Sequence, residues 1–246
     1  MNFAASLRGI RAVYGKELRS YFASPLGVVF LVFYVLVSNG FFFFVADFFR
    51  SGQATMRGFF EVLPWIFLFF VPAVTMRLWA EERRTGTLEV LLTLPLRDAE
   101  VVLGKFLAGL TFLAIALACT FTVPVSVSLF GHPDWGVMAA SYAGALLLGA
   151  SYLAIGLWAS SLTESQVIAF ITSVAVIFAL LGIGLAPMWA DSLGWFATAC
   201  GYLSLLSHFQ NILRGVLDTR DVVYYVSVVL LFLHLNAKNI ESRKWK

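Results

Sequence analysis

Residues Glu81–Lys105, EERRTGTLEVLLTLPLRDAEVVLGK, decide how the rest of the chain is read. They carry Glu81, Glu82, Arg83, Arg84, Glu89, Arg97, Asp98, Glu100 and Lys105, and they join two hydrophobic runs each long enough to cross a bilayer. A connection between spans holds so many charges of both signs when it is solvated, when it docks a partner, or both. Its centre carries helix signals. Thr87 is placed to cap, Glu89 falls in the first turn where the helix dipole favours an anion, and Leu94-Pro95 supplies a stop. The apolar run Leu88–Leu92 is far too short to span. The expectation is therefore a short helix over residues 87–94 on the cytoplasmic surface, presenting Leu88, Leu91 and Leu92 to a partner. A solvated turn with a fortuitous cap is the competing expectation.

Working outward, the flanks set the class. Hydrophobic residues make up 60% of the chain and charged residues 13%, with a mean hydropathy of +0.86. An ordinary soluble domain is roughly a quarter charged, so this is an integral membrane protein. A net charge of +3 bears on topology and marks no nucleic-acid partner. No signal peptide is expected, because the charged, amphipathic start leads into an apolar run longer than a signal sequence uses.

From Phe3 to Phe22, Phe3, Leu7, Ile10, Tyr14, Leu18 and Tyr21 recur every three or four positions opposite Arg8, Arg11 and Arg19. That pattern predicts a helix lying along the membrane interface over residues 1–25. The remaining 26–246 read as one transmembrane domain, with spans at about 26–45, 59–80, 99–129, 135–160, 167–186 and 222–237. Pro64 and Pro72 predict a kinked second span. Gly144, Gly149, Ala150, Ala154 and Gly156 give the fourth a face for close packing, within one subunit or between two. Residues 187–221 mix Trp, Gly and polar side chains, which suggests short helices dipping into the outer leaflet.

Counting Lys and Arg over six spans places thirteen of the 17 on the side of the two termini and the Glu81 segment, and four on the other. The positive-inside rule then puts both termini and that segment in the cytoplasm.

Chemistry is conspicuous by what is missing. The sequence contains no GxxxxGK[ST], HExxH or GxSxG, and Cys119 and Cys200 form no CxxC or metal-ligand spacing. Asp47, Glu61, Arg77 and Asp98 lie at span ends, which disfavours an ion-coupled carrier. A membrane subunit with no energy source of its own but a charged cytoplasmic helix suits a machine whose motor is a separate protein.

Five stretches carry a family resemblance: KELRSYFASP (Lys16–Pro25), MRLWAEERRTGTLEVLLTLPL (Met76–Leu96), LGKFLA (Leu103–Ala108), IGLWASSLTESQVIAF (Ile155–Phe170) and HFQNILRGVLDTRDVVYY (His208–Tyr225). In these the chain resembles ABC-2 type ABC transporter permeases, and among them gliding-motility-associated (GldF-like) permeases. The resemblance implies an all-α membrane protein with six transmembrane helices, an N-terminal amphipathic connecting helix, a cytoplasmic coupling helix between spans 2 and 3, and short re-entrant outer-leaflet helices between spans 5 and 6. It implies a bacterial inner-membrane subunit that is not an enzyme and binds no cofactor directly. ATP and magnesium would sit on two partner ABC ATPase subunits, beside a second membrane subunit, identical or related, and a membrane partner with an extracytoplasmic domain.

Carried over by position, Glu81, Glu82, Arg83 and Arg84 lead into the ATPase contact, and Thr87, Leu88, Glu89, Leu91, Leu92 and Thr93 sit in it. Lys16, Glu17 and Arg19 border it. His208, Phe209 and Arg214 belong to the outer gate. The implied activity is export coupled to ATP hydrolysis by the partners. The alternative is transmission of ATPase-driven movement to an extracytoplasmic partner without a cargo.

Overall fold

The computed structural model describes residues 3–45, 55–93, 96–185 and 201–242, and the regular elements among them are all helical. Helix α1 (Phe3–Ala23) leads through Ser24 into α2 (Pro25–Gly40), which runs on as a π-helical segment, Phe41–Val45. Then come α3 (Arg57–Thr75), α4 (Arg77–Arg84), α5 (Thr87–Thr93), α6 (Asp98–Cys119), α7 (Thr122–Phe130) and α8 (Trp135–Leu162). Last are α9 (Gln166–Gly182) with a 3-10 turn to Leu185, α10 (Leu205–Ile212) and α11 (Thr219–Glu241).

Five stretches are long and apolar enough to cross a membrane: Pro25–Val45, Arg57–Arg84, Asp98–Phe130, Trp135–Leu162 and Thr219–Glu241. They contain five of the six expected spans. The stretch expected as the remaining span, 167–186, holds α9, an apolar helix of 17 residues that is shorter than these five. At 1.5 Å per residue it is about 26 Å long, at the lower limit for a span. In the stretch expected to hold short helices, residues 205–212 form α10, while 186–200 lie outside the described residues.

Two spans are broken, each for a local reason. The proline ring of Pro124 is incompatible with helical continuation past the Thr120 carbonyl, and α6 gives way to α7 at Thr120–Phe121. The Thr120 hydroxyl donates to Leu117 O at 2.7 Å and meets Tyr142 Oη at 3.2 Å. The second break, at Met76, follows Pro72 and separates α3 from α4. Here Ser160 of α8 fills in for the interrupted ladder. Its hydroxyl donates to Met76 O at 2.8 Å and accepts from Trp79 N at 3.1 Å and Ala80 N at 3.2 Å. A helix start leaves its first amides without intrahelical partners, and Ser160 takes them up.

Helix α8 is the central column, packed on α3, α4, α6, α9, α10 and α11. Its small residues are used inside the chain. A Cβ at Gly144 would stand 2.7 Å from Ile212 of α10; one at Gly149 would run into Leu113 of α6, and one at Gly156 into Thr75 of α3. Packing within one subunit therefore accounts for that face.

Helix α1 packs along α6, and its buried line is Gly9, Val13, Glu17 and Tyr21; of the expected apolar stripe Tyr21 lies on that line, while Ile10, Tyr14 and Leu18 are half-buried beside it. Leu7 of that stripe is half exposed. Glycine explains the rotation: Gly104 of α6 receives Val13, with a Cβ there only 2.7 Å from Val13 Cβ, and Gly9 receives Leu96 and Glu100. This turns Glu17 into the interior.

Candidate functional site

Helix α4 carries the sequence RLWAEERR, and its one turn of charge meets three different helices. Glu82 and Arg83 are half-buried, whereas Glu81 and Arg84 are exposed. Glu82 Oε1 accepts from Lys16 Nζ of α1 at 2.9 Å. Its Oε2 lies 2.9 Å from Lys105 Nζ of α6, an ion contact rather than an aligned hydrogen bond.

Lys105 is buried, with 1% of its side chain exposed, yet it is well supplied. Its ammonium donates to Glu17 Oε1 at 2.8 Å and to Leu78 O at 2.8 Å, and sits 4.7 Å from the Trp79 ring centroid. Two carboxylates and two ammoniums thus form a neutral cluster joining α1, α4 and α6. Burying a charge costs several kcal/mol unless it is paired, and here each partner supplies the pairing. Lys16 feels both sides of this balance: burial alone would lower its pKa, and the hydrogen bond and charge of Glu82, with Glu17, outweigh it and raise it.

Arg83 ties the other side of α4 to the end of α8. Its guanidinium donates to Ser161 O at 3.1 Å and pairs with Glu164 at 3.2 Å. Asn239 of α11 donates to Ser161 O at 2.9 Å and to Ser161 Oγ at 2.8 Å. The base of the charged segment is therefore clamped to α1, α6, α8 and, through Ser161, α11.

The turn to α5 needs a left-handed residue, and Gly86 supplies it at φ +73°. Helix α5 begins at Thr87, whose hydroxyl reaches back to Glu82 O at 3.3 Å instead of capping. Glu89 is in the first turn as expected. Leu88 and Leu91 are half-buried against the core, so the solvent side of α5 is Thr87, Glu89 and Thr93. The side chain of Leu92, with residues 94–95, lies outside the described residues. Arg19 is exposed on α1. Between α1 and α4 lies a polar cavity of about 400 Å³ walled by Lys16, Ser20, Arg77, Glu81 and Thr85.

At the opposite end of α8 the expected gate residues divide. Phe209 of α10 is fully buried. His208 and Arg214 line a cavity of about 860 Å³. His208 Nδ1 is 2.6 Å from Asp221 Oδ1, its Nε2 is 3.0 Å from Tyr202 O, and its ring stacks on Tyr224 at 4.0 Å.

Sequence reasoning singled out Glu17 and Glu82 but missed Lys105 as their partner, and missed Asp221 beside His208. Lys105 had a signal: a lysine at the eighth position of a helix that goes on to span has to be paired or to snorkel. Asp221, thirteen residues from His208, had none.

A family model described as ABC-2 family transporter protein matches residues 11–234. The chain belongs to the ABC-2 transporter family. The permease is 28% identical, over 153 residues or 59% of its length, to the probable multidrug ABC transporter permease YbhR of Escherichia coli K12, and equally to that of Escherichia coli O157:H7. The match spans 39% of each relative, so the permease aligns with well under half of the curated relatives it matches.

Proposed function

We propose that this chain is the membrane subunit of an ATP-driven exporter, in which α4 and α5 take up movement from partner ATPases and pass it to the bundle. The observation that carries the proposal is Glu82, held by Lys16 of α1 and Lys105 of α6 at 2.9 Å each. It anchors the base of a segment whose tip exposes Arg84, Thr87 and Glu89. A lever needs those two properties together, a base fixed to several helices and an accessible end. With α9 as a sixth span, both termini and this segment share one side of the membrane, and the excess of Lys and Arg on that side favours the cytoplasm. ATP and magnesium belong to two ATPase subunits, which grip the exposed side of α5, Thr87, Glu89 and Thr93, on each of two paired membrane subunits. ATP binding closes the ATPases, and its binding energy biases one arrangement of the bundles over the other.

Glu89→Lys tests the docking surface, because Glu89 is exposed and absent from the buried cluster. In proteoliposomes with its ATPase, the variant is expected to insert and melt as wild type while losing most of the stimulation of ATP hydrolysis by the membrane subunit. Unchanged stimulation would remove α5 from the docking surface.

A further inference from the structure

We propose that His208 is a protonation-dependent latch that fastens the segment leading into α10 to the first turn of α11. Both ring nitrogens face acceptors. Nδ1 meets the Asp221 carboxylate at 2.6 Å and Nε2 meets the Tyr202 carbonyl at 3.0 Å. A carbonyl can only accept, and a carboxylate paired this way accepts as well. Only the imidazolium, with a proton on each nitrogen, satisfies both. The ring also stacks on Tyr224 at 4.0 Å, a distance at which a cation is attracted to the aromatic face.

The same short stretch is held at two further points by α11. Tyr224 Oη donates to Leu203 O at 2.5 Å and Tyr225 Oη to Leu205 O at 2.7 Å. Of these fastenings, only the histidine's depends on a group that changes charge in the pH range of ordinary compartments.

The remaining charged groups at this site are Asp218, Arg214 and Arg220, all exposed. Asp218 is already engaged as the cap of α11, accepting from Arg220 N at 2.9 Å. Among the described residues lining the cavity, α8 and α9 contribute no charge. Asp221, with 5% of its side chain exposed, is thus the direct counter-ion of His208.

Loss of the proton has a defined consequence. The bond to Asp221 is charge-assisted and the stronger of the two, so the neutral ring keeps its proton on Nδ1. Its Nε2 lone pair then faces the lone pairs of Tyr202 O, and that contact opens. The departing proton leaves to water in the cavity that His208 lines. The latch rests on this geometry alone. The orientation proposed above enters only in deciding which compartment's pH it senses.

The test uses the full chain in lipid nanodiscs at pH 5 and pH 9. Hydrogen exchange over 201–207, corrected for the intrinsic pH dependence, is expected to be about tenfold faster at pH 9, the scale of one lost hydrogen bond to a charged group. His208→Gln should remove that difference. In 15N-histidine spectra assigned through the same variant, His208 should carry two protons at pH 5 and keep the Nδ1 proton at pH 9. Equal corrected exchange at both pH values, a neutral His208 at pH 5, or a pH response that survives in His208→Gln each overturns the latch.

Discussion

Replacing Lys105 by Met is the sharpest test of the cluster at the base of α4. The substitution keeps the volume and removes the ammonium that contacts Glu17 at 2.8 Å, Leu78 O at 2.8 Å and Glu82 at 2.9 Å. Two carboxylates then face one another with only Lys16, 61% exposed, as counter-ion. Removing one member of a buried ion pair costs about 3–5 kcal/mol. Lys16 remains 2.9 Å from Glu82 and 3.7 Å from Glu17, which favours the lower end.

About 3 kcal/mol in a chain of this size corresponds to a Tm lower by roughly 6–12 °C. Adding Glu17→Gln to the variant removes one of the stranded charges and should recover at least half of the lost Tm. Thermal unfolding of the four proteins of this cycle in one detergent measures both the loss and the recovery. A loss below about 2 °C for Lys105→Met, or no recovery in the double variant, would refute the claim that Lys105 neutralises a buried pair.

The cluster's two lysines should differ sharply. Lys16→Met removes a largely exposed charge while Lys105 still holds Glu82, so its Tm is expected within about 3 °C of wild type. Ser160→Ala strips a donor to Met76 O and the acceptor of the Trp79 and Ala80 amides, a loss of about 1–3 kcal/mol readable as a lower Tm and faster exchange at those two amides. Gly156→Ala drives a methyl against Thr75 and should destabilise by about 1–3 kcal/mol, with Thr75→Ala in the same chain restoring part of it; strict additivity of the two Tm losses would count against the contact.

Much of this architecture was legible because a bilayer punishes unpaired polarity. Apolar runs of about twenty residues and proline positions fix five spans and the break after Pro72 without tertiary information. The short α5 was legible too, since Glu89 and the following Leu94-Pro95 are local signals. What local signals cannot carry is the choice between lipid and protein as the surface a helix faces. The periodicity of α1 pointed Leu7 inward, whereas Gly9 and Gly104 set which face fits against α6, and only in that pairing does Glu17 find Lys105, 88 positions away. The base of the candidate site is therefore tertiary in origin, while its tip is written locally. His208 and Asp221 illustrate the same limit, because nothing in their spacing announces that α10 folds back on α11.

That division bears on how such a segment could transmit force. Helix α5 has seven residues, fewer than a helix needs to be stable alone, and among its described side chains Leu88 and Leu91 pack against the core while Thr87 bonds back to Glu82 O. Under the proposed function, a push on its exposed side reaches the bundle through α4. There the charged contacts are directional, in a way that apolar packing is not: Glu82 has to keep facing Lys16 and Lys105, and Arg83 has to keep facing Ser161. Buried ion pairs give little net stability over apolar substitutes, and their best-attested use is to fix one arrangement against alternatives. Under the proposed function that use is what a lever base requires. It ties α1, α6 and α8 to α4, and Ser160 bridges the Met76 break that joins α4 to α3.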